Sequence, residues 1–76
     1  MPELELRSRA LKECLKGVQG RASELLKLRY EDGLKPNAIA GSVGMAVVAV
    51  RVMLSRTRAG LRECIERKMK LLNVRP

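Results

Sequence analysis

Four arginines, Arg51, Arg56, Arg58 and Arg62, fall in one helix-sized segment, GSVGMAVVAVRVMLSRTRAGLRE, residues 41–63. A guanidinium presents five donors in a planar fork, suited to the paired acceptors of a phosphate or a guanine edge. The same segment holds Val47, Val48, Val50 and Val52. A core helix would not need the arginines, and a solvated helix would not want the valines. Projected at 3.6 residues per turn, the two sets separate. Val50, Leu54, Thr57, Leu61 and Cys64 or Ile65 form an inward stripe; Arg51, Val52, Ser55, Arg56 and Ala59 form an outward one, with Val48 at its leading end. Such a helix can anchor one face in a core and lay the other along a polyanion.

Other chemistries find little material. The chain has no histidine, so neither a usual zinc site nor a Cys–His nucleophile can be assembled. There is no glycine-rich phosphate loop and no cluster of carboxylates able to share a proton. Glu24, Glu31 and Asp32 read as helix-surface charges. No catalytic residue, metal ligand or cofactor is expected, and the chain is not expected to be an enzyme. Cys14 and Cys64 each lie on an apolar helical stripe (Leu11, Cys14, Leu15, Val18 and Leu61, Cys64, Ile65), which predicts free, buried thiols. Redox sensing or an opportunistic disulfide is the alternative.

The net charge is +8, unevenly spread. Residues 1–50 carry eight basic and six acidic side chains, and residues 51–76 carry eight and two. The basic excess therefore sits in the last segment, which favours a polyanionic partner touched by the carboxy-terminal helix. Tyr30 is the only aromatic residue. Single-strand binders and RNA readers stack bases on aromatic platforms, so duplex DNA is the better match.

These side chains must be positioned by a small fold. Seventy-six residues make one domain near the lower limit for folding without staples. No apolar run approaches the roughly 18 residues of a membrane span, and MPELELRSR is no secretory signal. A cytoplasmic location and no membrane partner are expected. The pattern predicts an all-α bundle of about four helices, over residues 8–16, 21–31, 36–42 and 47–69. Ser8 is the expected N-cap of the first helix, and its short GVQG connector is expected to fold the second helix back on it. Asp32-Gly33 closes the second helix, and Pro36 opens the third. Leu34 with Ile39, and Met45 with Val50, stand at the spacing of hydrophobic staples. A short helix, a glycine turn at Gly44 and a longer basic helix make a C-terminal helix-turn-helix signature.

On these residues the chain resembles region 4 of bacterial RNA polymerase sigma factors, particularly the extracytoplasmic-function group. The resemblance is carried by Arg29-Tyr30, Gly33-Leu34, Ile39-Ala40, Gly44, Val50-Arg51, Leu54-Ser55-Arg56-Thr57-Arg58 and Leu61, and covers most of residues 8–66 without gaps. It implies a domain that sets its helix-turn-helix in the major groove of the promoter minus-35 element in transcription initiation. It further implies docking on the flap of core RNA polymerase, with an anti-sigma factor as a possible partner. Carried over residue by residue, Arg51, Val52, Ser55 and Arg56 contact bases. Arg29, Arg58 and Arg62 meet phosphates, as do backbone N–H groups near Val47. The promoter-melting domain of the family lies outside these 76 residues, so this chain alone is not expected to open a promoter.

The sequence departs from the family at four points. Ala46 and Lys35 stand where capping Ser or Thr is usual, Val52 where a small polar reader is common, and Met53 where a basic residue is common. Val48, Val52 and Met53 together suggest an exposed apolar patch and hence a protein contact. Two other functions are therefore weighed beside promoter recognition. One is an interaction module for core polymerase or an anti-sigma factor with little DNA reading. The other is a stand-alone dimeric helix-turn-helix regulator.

Overall fold

A computed structural model describes residues 2–72. They form four helices: α1, Pro2–Lys16; α2, Gly20–Tyr30; α3, Pro36–Val43; and α4, Val47–Leu72. Three of the four starts fall within a residue of the sequence expectation. The first does not. α1 begins at its proline six residues before Ser8, which lies inside the helix rather than capping it. Proline suits the first helical position, where its missing N–H costs nothing.

The core is built by α2, α3 and the first half of α4. Leu25, Leu26, Ile39, Ala40, Val50 and Leu54 form one buried cluster, with Val18, Leu34, Val43, Met45 and Leu61 packed against it. Leu34 and Met45 pack against the cluster that holds their staple partners Ile39 and Val50, neither of which has exposed surface. Two turns set the helix angles. Gly33 and Gly44 adopt φ of 70° and 73°, a left-handed conformation that costs other residues energy. After Gly44 the Met45 N–H returns to the Ala40 carbonyl at 3.1 Å, closing α3, and the chain bends by 110° into α4.

The inward stripe of α4 follows the projection. Val50 and Leu54 are buried, and Thr57, Leu61, Cys64 and Ile65 are half-buried. The Thr57 hydroxyl donates to its own helix at the Met53 carbonyl, 2.7 Å away, so its inward position leaves no polar group unpaired. Among the described residues no polar or charged side chain is buried.

α1 departs from expectation in two further ways. It does not pair with α2; it lies against the second half of α4, its one helix partner by backbone approach. The two run antiparallel, with Cys14 beside Cys64 and Glu13 ion-paired to Lys68 at 3.4 Å. Its buried face is Ala10 and Cys14, whereas Leu11 and Leu15 are about two-fifths exposed. Nor are the cysteines free: Cys14 and Cys64 form a disulfide across a 50-residue separation. The physical reason is one and the same. The Cα atoms of Cys14 and Cys64 are 6.0 Å apart, within the span of a disulfide, so this edge of α1 faces α4 and its small side chains, Ala10 and Cys14, take the buried positions. The leucines are displaced to the flank.

Candidate nucleic-acid interface

The outward face of α4 carries Arg51, Val52, Ser55 and Arg56, all exposed. They stand over two turns of helix directly behind Val50 and Leu54, so the anchoring residues fix where the outward ones project. Arg58 and Arg62 are exposed one and two turns further along. Val48 is 72% exposed at the leading end and Val52 42%. Met53 does not join them: it is half-buried and packs against the core, as does Val47. The apolar patch expected from Val48, Val52 and Met53 therefore reduces to the two valines, which stand one turn apart on the same face.

Both helix starts at this end are electrostatically open. The first intrahelical bond of α4 runs from the Val50 N–H to the Ala46 carbonyl, 3.0 Å, which makes Ala46 the N-cap. Its methyl group accepts nothing. Lys35 caps α3 without a side-chain hydrogen bond. The leading N–H groups of two helices, including those near Val47, are thus left for another acceptor, and a helix N-terminus favours an anion.

Three arginines gather beside the start of α3. Arg29 from α2, Arg51 and Arg58 from α4, and Pro36 at the head of α3 line a notch of about 330 Å³ floored by Leu54. Among the described residues no carboxylate makes an ion pair with any of the three. Tyr30 organises two of them. The Arg58 guanidinium donates to the Tyr30 hydroxyl at 2.9 Å, and the Arg29 guanidinium lies 5.6 Å from the Tyr30 ring centroid, within cation–π range. Like charges are held together by an aromatic ring and a hydroxyl, not by acids.

Sequence reasoning placed Arg29 and Arg58 together as phosphate residues but missed the notch they share with Arg51. It also missed Tyr30 as the side chain that positions them. The available signal was a lone aromatic directly after an arginine; the Arg58 partnership, 28 residues away, has no local trace.

A second concavity lies on another side. Leu11 and Leu15 of α1, Leu26 and Tyr30 of α2, and Leu61 of α4 line an apolar groove of about 570 Å³, with Lys27, Glu31 and Arg58 among its polar borders. It exists because α1 and α2 both rest on α4 and not on each other. Arg58 borders groove and notch alike. No cluster of metal-ligating side chains occurs among the described residues, and no single helix is long and apolar enough to cross a membrane. No protein-family model matches the chain, and neither a curated protein nor a solved structure is significantly similar to it.

Proposed function

We propose that the chain is a non-enzymatic, cytoplasmic DNA-binding domain that reads duplex DNA through α3 and α4, in the manner of sigma factor region 4 at a promoter minus-35 element. The observation that carries this reading is the two-sidedness of α4. Val50 and Leu54 are fully or nearly fully buried, while Arg51, Val52, Ser55 and Arg56 are exposed on the opposite side of the same two turns. The three-residue turn at Gly44 and the 110° bend agree with a helix-turn-helix, whose second helix lies in the major groove.

In this arrangement Ser55 and Arg56 face base edges and Val52 meets a thymine methyl group. Arg29, Arg51 and Arg58 close on the sugar–phosphate backbone at the notch. The open N–H groups of α3 lie alongside, those near Val47 meet another stretch of backbone, and Arg62 reaches a phosphate further along the groove. Arg51 is thereby moved from the base-reading to the backbone-holding set, because it shares a notch with two other cations.

The apolar groove supports a protein partner beside the DNA. Its half-exposed leucines and Tyr30 suit an amphipathic helix laid in a groove, and a helix of core polymerase or of an anti-sigma factor is the occupant this reading assigns to it. The groove and the outward face of Val52, Ser55 and Arg56 are different surfaces that meet at Arg58 and Tyr30.

The assignment of faces is tested by Arg56→Ala and Arg58→Ala. Arg56→Ala alters base preference, with a change of about 1–3 kcal/mol at one or two positions. Arg58→Ala weakens binding to all sequences alike. Competition titrations over a randomised duplex library distinguish them; the same loss of preference in both variants contradicts the assignment.

A further inference from the structure

α1 is attached to the rest of the molecule along a single line. Its one helix partner by backbone approach is α4, and that contact is the most extensive between any two helices of the fold. None of its residues belongs to the central cluster of Leu25, Leu26, Ile39, Ala40, Val50 and Leu54. Its fully buried side chains are the small Ala10 and Cys14, and Leu6, Leu11 and Leu15 are only partly covered. The Glu13–Lys68 pair that also crosses the contact has both side chains well exposed and adds little. The Cys14–Cys64 bond is the one covalent tie across that contact. α1 nonetheless supplies a wall of the apolar groove, through Leu11 and Leu15.

We infer that the Cys14–Cys64 bond is a reversible latch: reduction by a cellular dithiol frees α1 from α4 and opens the α1 wall of the groove, while α2, α3 and the first half of α4 stay folded. The inference rests on the DNA-binding reading only for its reducing compartment, where the disulfides that do occur are usually transient and redox-sensing or catalytic. Cys64 is half-buried and Cys14 is 5% exposed, so the incoming thiolate attacks the Cys64 sulfur. The S–S bond breaks and Cys14 leaves as a thiolate that takes up a proton. The second thiolate of the dithiol then displaces Cys64 from the mixed disulfide, and Cys64 is protonated in turn. The protein gains two electrons and two protons, and the dithiol is left oxidised to its own disulfide.

Opening has consequences confined to one end. Leu61, Cys64, Ile65 and Met69 lose the helix that covers them, and the groove loses Leu11 and Leu15. The notch of Arg29, Arg51 and Arg58 keeps its frame, because it is set by α2, α3 and the first turns of α4. The latch therefore governs the protein-binding groove and leaves the basic face alone.

Hydrogen exchange on the whole chain tests this in the oxidised state, after reduction by dithiothreitol, and after reoxidation, with thiol labelling to verify each state. On reduction, amides of α1 and of the second half of α4 are expected to lose protection by about tenfold or more, and those of α2 and α3 to keep it. Reoxidation restores the original pattern. Unchanged protection with both thiols labelled overturns the latch, as does loss of protection in all four helices together. Free thiols after air oxidation, or a bond that a thioredoxin-type dithiol does not reduce, also overturn it. Duplex affinity is measured in both states in parallel. Equal affinity in the two is expected, and absence of binding in both overturns the DNA reading while the exchange data still judge the latch.

Discussion

Ile39→Ala removes about 2–5 kcal/mol of stability. A 76-residue domain has roughly 4–11 kcal/mol in total, so this one change takes the protein close to unfolding. Ile39 has no exposed surface and sits among Leu25, Leu26, Val50 and Leu54, which belong to two other helices. It is also the inner member of the staple with Leu34 that fixes how the chain enters α3. The lost methyl groups leave a cavity between three helices, and the turns at Gly33 and Gly44 hold those helices at angles that hinder collapse into it. Val48→Ala is the matched control. Val48 is 72% exposed, and its truncation stays within about 0.5 kcal/mol. Urea unfolding of the oxidised protein, followed by far-UV circular dichroism, distinguishes the two; equal midpoints for both variants contradict the core described above.

Replacing Arg29, Arg51 and Arg58 together by alanine gives the largest expected loss of DNA binding. The three guanidiniums line one notch of about 330 Å³, room for one phosphate or two neighbouring ones, and among the described residues no carboxylate is ion-paired with them. Each phosphate released from contact lowers the magnitude of the log–log salt slope by about 0.9, so the slope is expected to fall by about one to two. Affinity at low salt drops by roughly an order of magnitude or more, for every sequence alike. Fold is retained, because Arg51 and Arg58 are exposed and Arg29 only half-buried. Tyr30 loses one hydrogen bond and one cation–π contact, both near the surface, which costs about 1 kcal/mol or less. Anisotropy titrations of the triple variant check this; a slope equal to that of the parent removes the notch from the interface.

The parts of this fold that local rules govern were legible in the sequence. Pro36, Gly33 and Gly44 mark helix ends through backbone geometry alone, and the starts of α3 and α4 fall where they predict. The inward stripe of α4 follows from its period, since Val50 and Leu54 can be hidden only if Arg51 and Arg56 are not. What local rules do not govern was lost. Periodicity favours large apolar residues, so Leu11 and Leu15 read with Cys14 as the buried face of α1, when the small Ala10 joins Cys14 there and both leucines stand two-fifths exposed. The choice depends on how near α4 lies, and that distance is a property of residues 50 positions away. The same separation hid the disulfide, and with it the pairing of α1 with α4. In the candidate site the outward residues were each in reach of sequence reasoning. Their grouping was not, because Tyr30 and Arg58 meet only through the packing of α2 on α4.

The central claim is that the exposed side of α4 lies along a duplex and neutralises phosphates there. The most direct measurement is an anisotropy titration of the oxidised wild-type chain against a labelled duplex at several salt concentrations. If about four phosphates are neutralised, log K falls with log salt at a slope of roughly −3 to −4, from an affinity in the micromolar range or weaker. Binding that does not change with salt, or no binding at low salt, contradicts the claim.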